Sequence, residues 1–338
     1  MSAASAGLGL VVVVGLTAYA VLGGADFGAG VWDLLARRRA QRDLLARAMG
    51  PVWEANHVWL IFVVITLFSG FPAAFAALST ALLGPLSLAL LGIVLRGAAF
   101  VFRQYGAPDG GRPVRGTAAW GRVFAASSVI TPFALGAAAG ALSTGRVSPS
   151  GGGVWRPFVA PLPLLAGGLA VACCAYLAAV YLARDAERIG DASLVRDFRR
   201  RAIAAAVVAG ALAVAALPVL PPQLAGRLTT VGAPAVGLSV LAGVAALVLL
   251  WRRHLSTARV AAAAAVATLL WGWVAALYPW VIPGRLSLGD AAAPPTIAGP
   301  VLAVLLAGLT IVLPCYVLLI RTLRPEELAG DPRSSPGR

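Results

Sequence analysis

Asp26, Glu54, His57 and Arg96 each lie in or beside strongly apolar stretches of this 338-residue chain. An ion in hydrocarbon is costly, so such groups mark proton relays, ion paths or fixed ion pairs. Asp26 precedes the first arginine, Arg37, by a helical distance of roughly 16 Å. Glu54 and His57 open the next apolar stretch just after Pro51, and Arg96 lies towards the charged end of a third. All four therefore share a similar depth. Asp26 or Glu54 would ionise beside Arg96 at far lower cost than alone, because an opposite charge favours the charged form. Two chemistries fit this pattern: a buried ion pair that locks three helices, and a water-accessible proton path. The residue types leave both open.

Metal chemistry has less support. His254, the second of two histidines, abuts Arg252 and Arg253 and reads as solvated at a helix end. Met49 lies two turns from His57. Without another histidine at ligand spacing, neither haem nor metal is expected on this chain alone. Cys173, Cys174 and Cys315 fall in apolar stretches, and Cys173-Cys174 lacks the spacer of a redox or zinc pair. They read as buried packing groups.

The elements that must hold these groups are membrane helices. Hydrophobic residues make up 60% of the chain and charged residues 12%, which excludes an ordinary soluble domain. Runs of about 20 apolar residues predict nine spans. They cover approximately 7–35, 53–77, 79–102, 118–142, 158–183, 202–220, 231–250, 258–281 and 297–320. The expectation is an all-α, multi-pass membrane domain over 1–322 and a polar tail over 323–338. The first run reads as a span, not a cleaved leader, since no positive charge precedes it. All 27 basic residues are arginine. With nine spans, all but Arg96, Arg146, Arg156, Arg227 and Arg285 fall on one side. The positive-inside rule then puts the N-terminus outside and the C-terminus in the cytoplasm. The net charge of +14 is thereby an orientation signal, and no basic segment resembles a nucleic-acid module. Gly24 and Gly28 lie four apart on one helix face with Gly30 nearby, a spacing that permits close helix approach. Trp53 and His57 share a face of the second span, and Trp53 and Trp59 also suit interfacial anchoring.

Two ordered stretches carry a more specific signal. Gly23-Gly24-Ala25-Asp26-Phe27-Gly28-Ala29-Gly30 is followed by Met49-Gly50-Pro51-Val52-Trp53-Glu54-Ala55-Asn56-His57-Val58-Trp59-Leu60. Together they resemble subunit II of cytochrome bd-type quinol oxidases. The resemblance continues through Phe71-Pro72, Leu95-Arg96-Gly97-Ala98-Ala99-Phe100 with Arg103, Trp120, Thr131-Pro132, and Tyr278-Pro279-Trp280-Val281-Ile282-Pro283. It is strongest over 20–105 and faint across the fifth to seventh spans.

The resemblance implies two four-helix bundles plus one extra helix, packed against a similarly built subunit I in a bacterial cytoplasmic membrane. That partner would hold haems b and d, oxidise quinol, and reduce dioxygen to water with cytoplasmic protons. Subunit II would carry no haem, would stabilise its partner, and would contribute acids to proton delivery. The family's path acids map onto Asp26 and Glu54 and its basic residue onto Arg96. Ala25 stands where the family has an aromatic, and Gly23 where some members have a further acid. Some members bind a structural quinone in this subunit, and some complexes include small accessory subunits. The residues alone leave two other classes open, a proton-coupled secondary transporter and a purely structural membrane partner. Paired broken helices in inverted repeats would mark the transporter, and no half-to-half match is visible.

Overall fold

The computed structural model describes residues 2–49, 53–105, 117–147 and 155–329, excluding the side chains of Met49, Trp53, Glu54, 103–105, 117–118, Arg156 and 320–329. In chain order the elements are α1 (Ala3–Ala18), a π turn (Tyr19–Gly23), α2 (Gly24–Leu34), α3 (Arg39–Met49), α4 (Trp53–Gly70) and α5 (Pro72–Ala81). There follow α6 (Leu83–Tyr105), α7 (Thr117–Ser143), α8 (Pro161–Arg188), α9 (Ala192–Ala216), α10 (Pro222–Leu228), α11 (Ala233–Trp251) and α12 (Leu255–Leu277). A two-stranded hairpin, β1 (Trp280–Ile282) and β2 (Leu286–Ser287), leads through α13 (Leu288–Ala291) to α14 (Pro295–Ala329).

Among the described residues, eight helices are long and apolar enough to cross a membrane, and the bent pair α4–α5 makes a ninth crossing if counted as one. The chain is a multi-pass membrane protein. α1 and α2 form one span of 32 residues with the π turn inside it. Such turns often sit at functional sites because they re-aim the side chains that follow. The upper half of this span packs on α4 and α14, while its lower half packs on α7 and α8. α2, α6, α7 and α8 make one four-helix group, and α8, α9, α11 and α12 make a second. α8 belongs to both, and its Leu177, Ala179, Val180 and Ala183 have no exposed surface.

Four predicted spans have clearly different ends. The run 53–77 is not one straight helix: α4 stops at Gly70, and α5 leaves at 117°. Pro72 opens α5, and a proline pushes the residue before it out of the helical region. Phe71 accordingly takes φ −137° and ψ 61°. Its ring is fully buried with Leu8 and Ala74, and the Ala293 amide caps the Gly70 carbonyl at 2.8 Å. The next span therefore begins at Leu83 rather than 79. The run 258–281 ends early, at Leu277, because Pro279 supplies no amide and the chain turns into β1. Arg227 closes that end by donating to the carbonyls of Ala276 (2.7 Å) and Tyr278. The run 202–220 begins earlier, at Ala192, where Asp191 caps α9. Most of the expected tail lies outside the described residues.

Candidate functional site

Two of the ionisable side chains flagged within the spans, Asp26 and Arg96, are brought together below the π turn. Asp26 sits in the first turn of α2, roughly 12 Å from the helix end at Leu34. It is 8% exposed, and Asn56 and Arg96 are each 2% exposed. Buried polar groups need partners, and these supply one another. Asn56 donates through Nδ2 to the Asp26 carboxylate and to the Leu22 carbonyl, the latter at 3.3 Å. Tyr316 of α14 donates its hydroxyl to Asn56 Oδ1 at 2.7 Å. One amide thus joins α4, α14 and the first span.

Arg96 approaches from α6. Its Nη2 donates to the Asp26 carbonyl at 2.8 Å, and its Nε donates to Ser128 Oγ at 3.1 Å. Ser128 in turn donates to the Phe124 carbonyl at 2.7 Å. The guanidinium lies 4.8 Å from the Phe27 ring centre and 5.0 Å from that of Phe124. Aromatic faces at these distances stabilise a cation electrostatically.

Close backbone approach makes this cluster possible. A Cβ added at Gly30 would lie 2.2 Å from Ser128 Oγ, so only glycine leaves Ser128 room to reach Arg96. At Gly28 a Cβ would lie 1.9 Å from the Cys174 carbonyl oxygen, so α2 and α8 touch through their main chains. Gly24 differs from its partner in the four-residue spacing. A Cβ there meets Cys174 Sγ at an ordinary 3.5 Å. Trp32 fastens the same pair of helices, donating Nε1 to the Ala175 carbonyl at 2.8 Å.

The remaining sequence candidates divide. His57 is half-buried, its ring 6.0 Å from Tyr19 and 6.4 Å from Phe27. Trp59 is buried against Tyr316, ring centres 5.9 Å apart, so it is a core residue and not an interfacial anchor. The side chains of Trp53 and Glu54 lie outside the described residues, as do those of Met49 and Arg103. Cys173 is half-buried and Cys174 buried, while Cys315 is exposed on α14.

A cavity of about 70 Å³ adjoins the cluster. Asp26, Asn56 and Tyr316 face it from one side, and Tyr181, Asp185 and Arg259 line it elsewhere. Arg259 lies over the Tyr181 ring at 4.4 Å, and Arg188 reaches Asp185 at 3.7 Å. A water needs roughly 10–15 Å³ of such space and two to four polar partners, so this cavity has room for several. Tyr316, Ser128, Asp185 and Arg259 escaped the sequence reading. A hydroxyl in an apolar run is inexpensive enough to pass unremarked, and Asp185 and Arg259 read as ordinary helix-end charges.

Haem fits poorly here. An axial histidine needs an open face, whereas His57 is packed among aromatic rings. Neither cavity described in this chain has a histidine in its wall. Among the described residues, no three His, Cys, Asp or Glu side chains are grouped to hold a metal ion.

Known proteins are similar to this chain. The family model for cytochrome bd terminal oxidase subunit II matches residues 7–323. A putative cytochrome bd menaquinol oxidase subunit II of Bacillus subtilis is 38% identical over 87 residues, 25% of each chain. A cytochrome bd ubiquinol oxidase subunit 2 of the same organism is 34% identical over 128 residues, 38% of this chain and 36% of that one. The cytochrome bd-I ubiquinol oxidase subunit 2 of Escherichia coli is 31% identical over 96 residues, 28% of this chain and 25% of that one. These matches thus span only between a quarter and a little over a third of the relatives' lengths. The fold extends further. A chain in the structure of bd oxidase from Geobacillus thermodenitrificans aligns with a TM-score of 0.76 and 22% identity, over 96% of this chain and 99% of that one.

Proposed function

The chain belongs to the cytochrome bd terminal oxidase subunit II family, and from that premise we propose that it is the non-haem subunit of a bd-type quinol:oxygen oxidoreductase. It stabilises a haem-bearing subunit I in a bacterial cytoplasmic membrane and delivers cytoplasmic protons through Asp26. Reduction of dioxygen to water takes up a proton for every electron, so a buried oxidase needs a hydrated route through apolar protein. The haems of the partner supply the electron transfer. Quinol and dioxygen are substrates of the complex and not of this chain alone.

The observation that carries the relay reading is the polar cavity. It brings the buried Asp26 carboxylate, Asn56 and Tyr316 into the same small space as Asp185 and Arg259. Asp185 lies in the last turn of α8 and Arg259 in the first turns of α12, near the arginine-rich connections. Water in that space would let Asp26 take up a proton from the charged side. Arg96 is held against the Asp26 main chain beside that space.

The same contacts support a second reading. Arg96 bonds to α2 and α7 from its place on α6, so the cluster also fastens three helices. Asp26→Asn separates the two, because Asn keeps the shape and a hydrogen-bonding oxygen while losing the titratable group. The complex is purified, its haem absorption spectrum checks assembly, and oxygen uptake is measured with quinol. A relay predicts a normal spectrum with turnover reduced by about a hundredfold, the low end for loss of a positioned proton-transfer group. Normal assembly with normal turnover would remove the relay and leave the fastening role. Recovery of the wild-type chain without any haem-containing polypeptide would remove the oxidase assignment itself.

A further inference from the structure

A second, strongly basic feature lies apart from the Asp26 cluster. A cavity of about 910 Å³ opens where α2 ends and α9 begins. Its wall carries Arg37, Arg38, Arg196, Arg200 and Arg201 with a single carboxylate, Asp197. That carboxylate is already engaged, by Arg38 and by Gln41 Nε2 at 2.9 Å. Arg201 is held in place by neutral groups only. Its Nη2 donates to Gln41 Oε1 at 3.2 Å and to the Leu35 carbonyl at 3.5 Å, and its plane packs 5.3 Å from Trp32 and 5.0 Å from Phe198. Its Nη1 is buried with no hydrogen-bond partner. One fixed guanidinium with a spare donor, several neighbouring arginines and a single, already engaged carboxylate suit a ligand with a phosphate, which guanidinium forks bind in bidentate fashion.

Three further observations specify the ligand. The cavity is in the range of about 300–1,000 Å³ used for molecules well above the size of a bare phosphate. It lies at the ends of two spanning helices, hence at the membrane–water boundary. Its rim is apolar, with Leu34 and Leu35 more than half exposed, and Arg200, Val207 and Val214 follow at seven-residue intervals down α9. A helix places such positions on one face. Val207 and Val214 are 60% and 65% exposed, so an apolar strip leads away from the basic end.

We propose that this cavity binds the headgroup of an anionic phospholipid, with its phosphate on Arg196, Arg200 and Arg201 and its acyl chains along the Val207–Val214 face. Basic pockets between helices on the positively charged side of a membrane protein suit such headgroups. The lipid neutralises repulsion among the arginines and ties α3 to α9 through the Gln41–Asp197 corner.

The test uses the intact purified complex, delipidated in non-ionic detergent and titrated with dioleoylphosphatidylglycerol, dioleoylphosphatidylcholine or inorganic phosphate. Native mass spectrometry reads the bound species. The expected result is saturable binding of phosphatidylglycerol, little of phosphatidylcholine, and no displacement by phosphate at equal concentration. Arg196→Gln with Arg200→Gln weakens phosphatidylglycerol binding roughly thirtyfold, given the usual contribution of each basic residue near an anionic headgroup. Arg285→Gln, in the β1–β2 turn, leaves it unchanged. Equal binding of the two lipids, displacement by free phosphate, or unaltered binding by the double variant overturns the proposal. If the double variant does not assemble, the wild-type complex decides. Raising salt must weaken phosphatidylglycerol and not phosphatidylcholine, and equal salt response overturns the assignment.

Discussion

Asn56 donates its amide to the Asp26 carboxylate, and this bond makes Asn56 the node of the cluster. Its oxygen is committed in the other direction, accepting from Tyr316 at 2.7 Å. Because both ends of one amide are used, the side chain has a single satisfying orientation. Asn56→Leu would remove one buried hydrogen bond from the Asp26 carboxylate and one from the Tyr316 hydroxyl. The expected cost is about 1.5–3 kcal/mol, the usual worth of a hydrogen bond to a charged group. Tyr316→Phe removes one neutral donor and should cost about 1 kcal/mol. Thermal melting of the purified complex should rank the variants in that order. Equal melting temperatures would mean that the amide bond contributes nothing net.

Gly28 and Gly24 offer a sharper packing test. Their spacing is that of a small-residue face, yet only Gly28 has another main chain within its Cβ shell. Gly28→Ala must push α2 from α8, at about 1–3 kcal/mol or more for overpacking. It should also disturb the Trp32 bond to Ala175, which spans the same pair of helices. Gly24→Ala adds a methyl at ordinary contact distance and should be tolerated. The yield of assembled complex checks this. If both variants assemble equally, α2 and α8 can separate at little cost.

At the polar surface Asp191 caps α9, accepting at Oδ1 from the Leu194 amide (3.0 Å), the Ser193 hydroxyl (2.7 Å) and the Ser193 amide (2.8 Å). These bonds, led by that from Leu194, hold its carboxyl below the usual carboxylate range. A depressed folded-state pKa stabilises the fold at pH above the unfolded value, about 3.9, and this stabilisation is lost as pH falls through the folded value. Asp191→Ala should therefore lower stability at neutral pH by about 0.5–2 kcal/mol, the usual cost of losing such a cap. The gap between wild type and variant should close in acid. Asp191→Asn keeps a capping oxygen without a titratable group, so its advantage over Asp191→Ala should not change with pH. Melting curves across pH check the sign, and a gap that widens in acid would contradict it.

Asp26 and Arg96 were legible in the sequence because an ion in an apolar run needs a reason, and the structure brings the Arg96 guanidinium onto the Asp26 main chain. Asn56 was visible only as part of a motif, since an amide at the start of a span carries no strong penalty. Tyr316 and Ser128 were invisible, because hydroxyls in membrane helices can satisfy themselves on their own main chain. Spans were found where hydropathy was continuous, but averaging over a window hid the turn at Phe71-Pro72. There the apolar content persists through a 117° bend that only the backbone constraint of proline signals. The difference between Gly24 and Gly28 depends on which neighbour lies opposite, a tertiary fact with no local trace.

The cavity beside Asp26 gives the last test, one that leaves every hydrogen bond of the cluster in place. Ala25 lines that cavity and is only half-buried. Ala25→Leu projects an isobutyl group towards the space that water would occupy, without altering Asp26, Asn56, Tyr316 or Arg96. If the space carries protons, oxygen uptake should fall about tenfold or more, approaching the loss on removing a proton-transfer group. The haem spectrum and melting temperature should stay near those of wild type. Ala25→Ser, small and polar, should retain turnover. A fastening cluster predicts the opposite pattern for leucine: unchanged turnover in every complex that assembles. That outcome would reassign the cavity to packing and move proton delivery to another route.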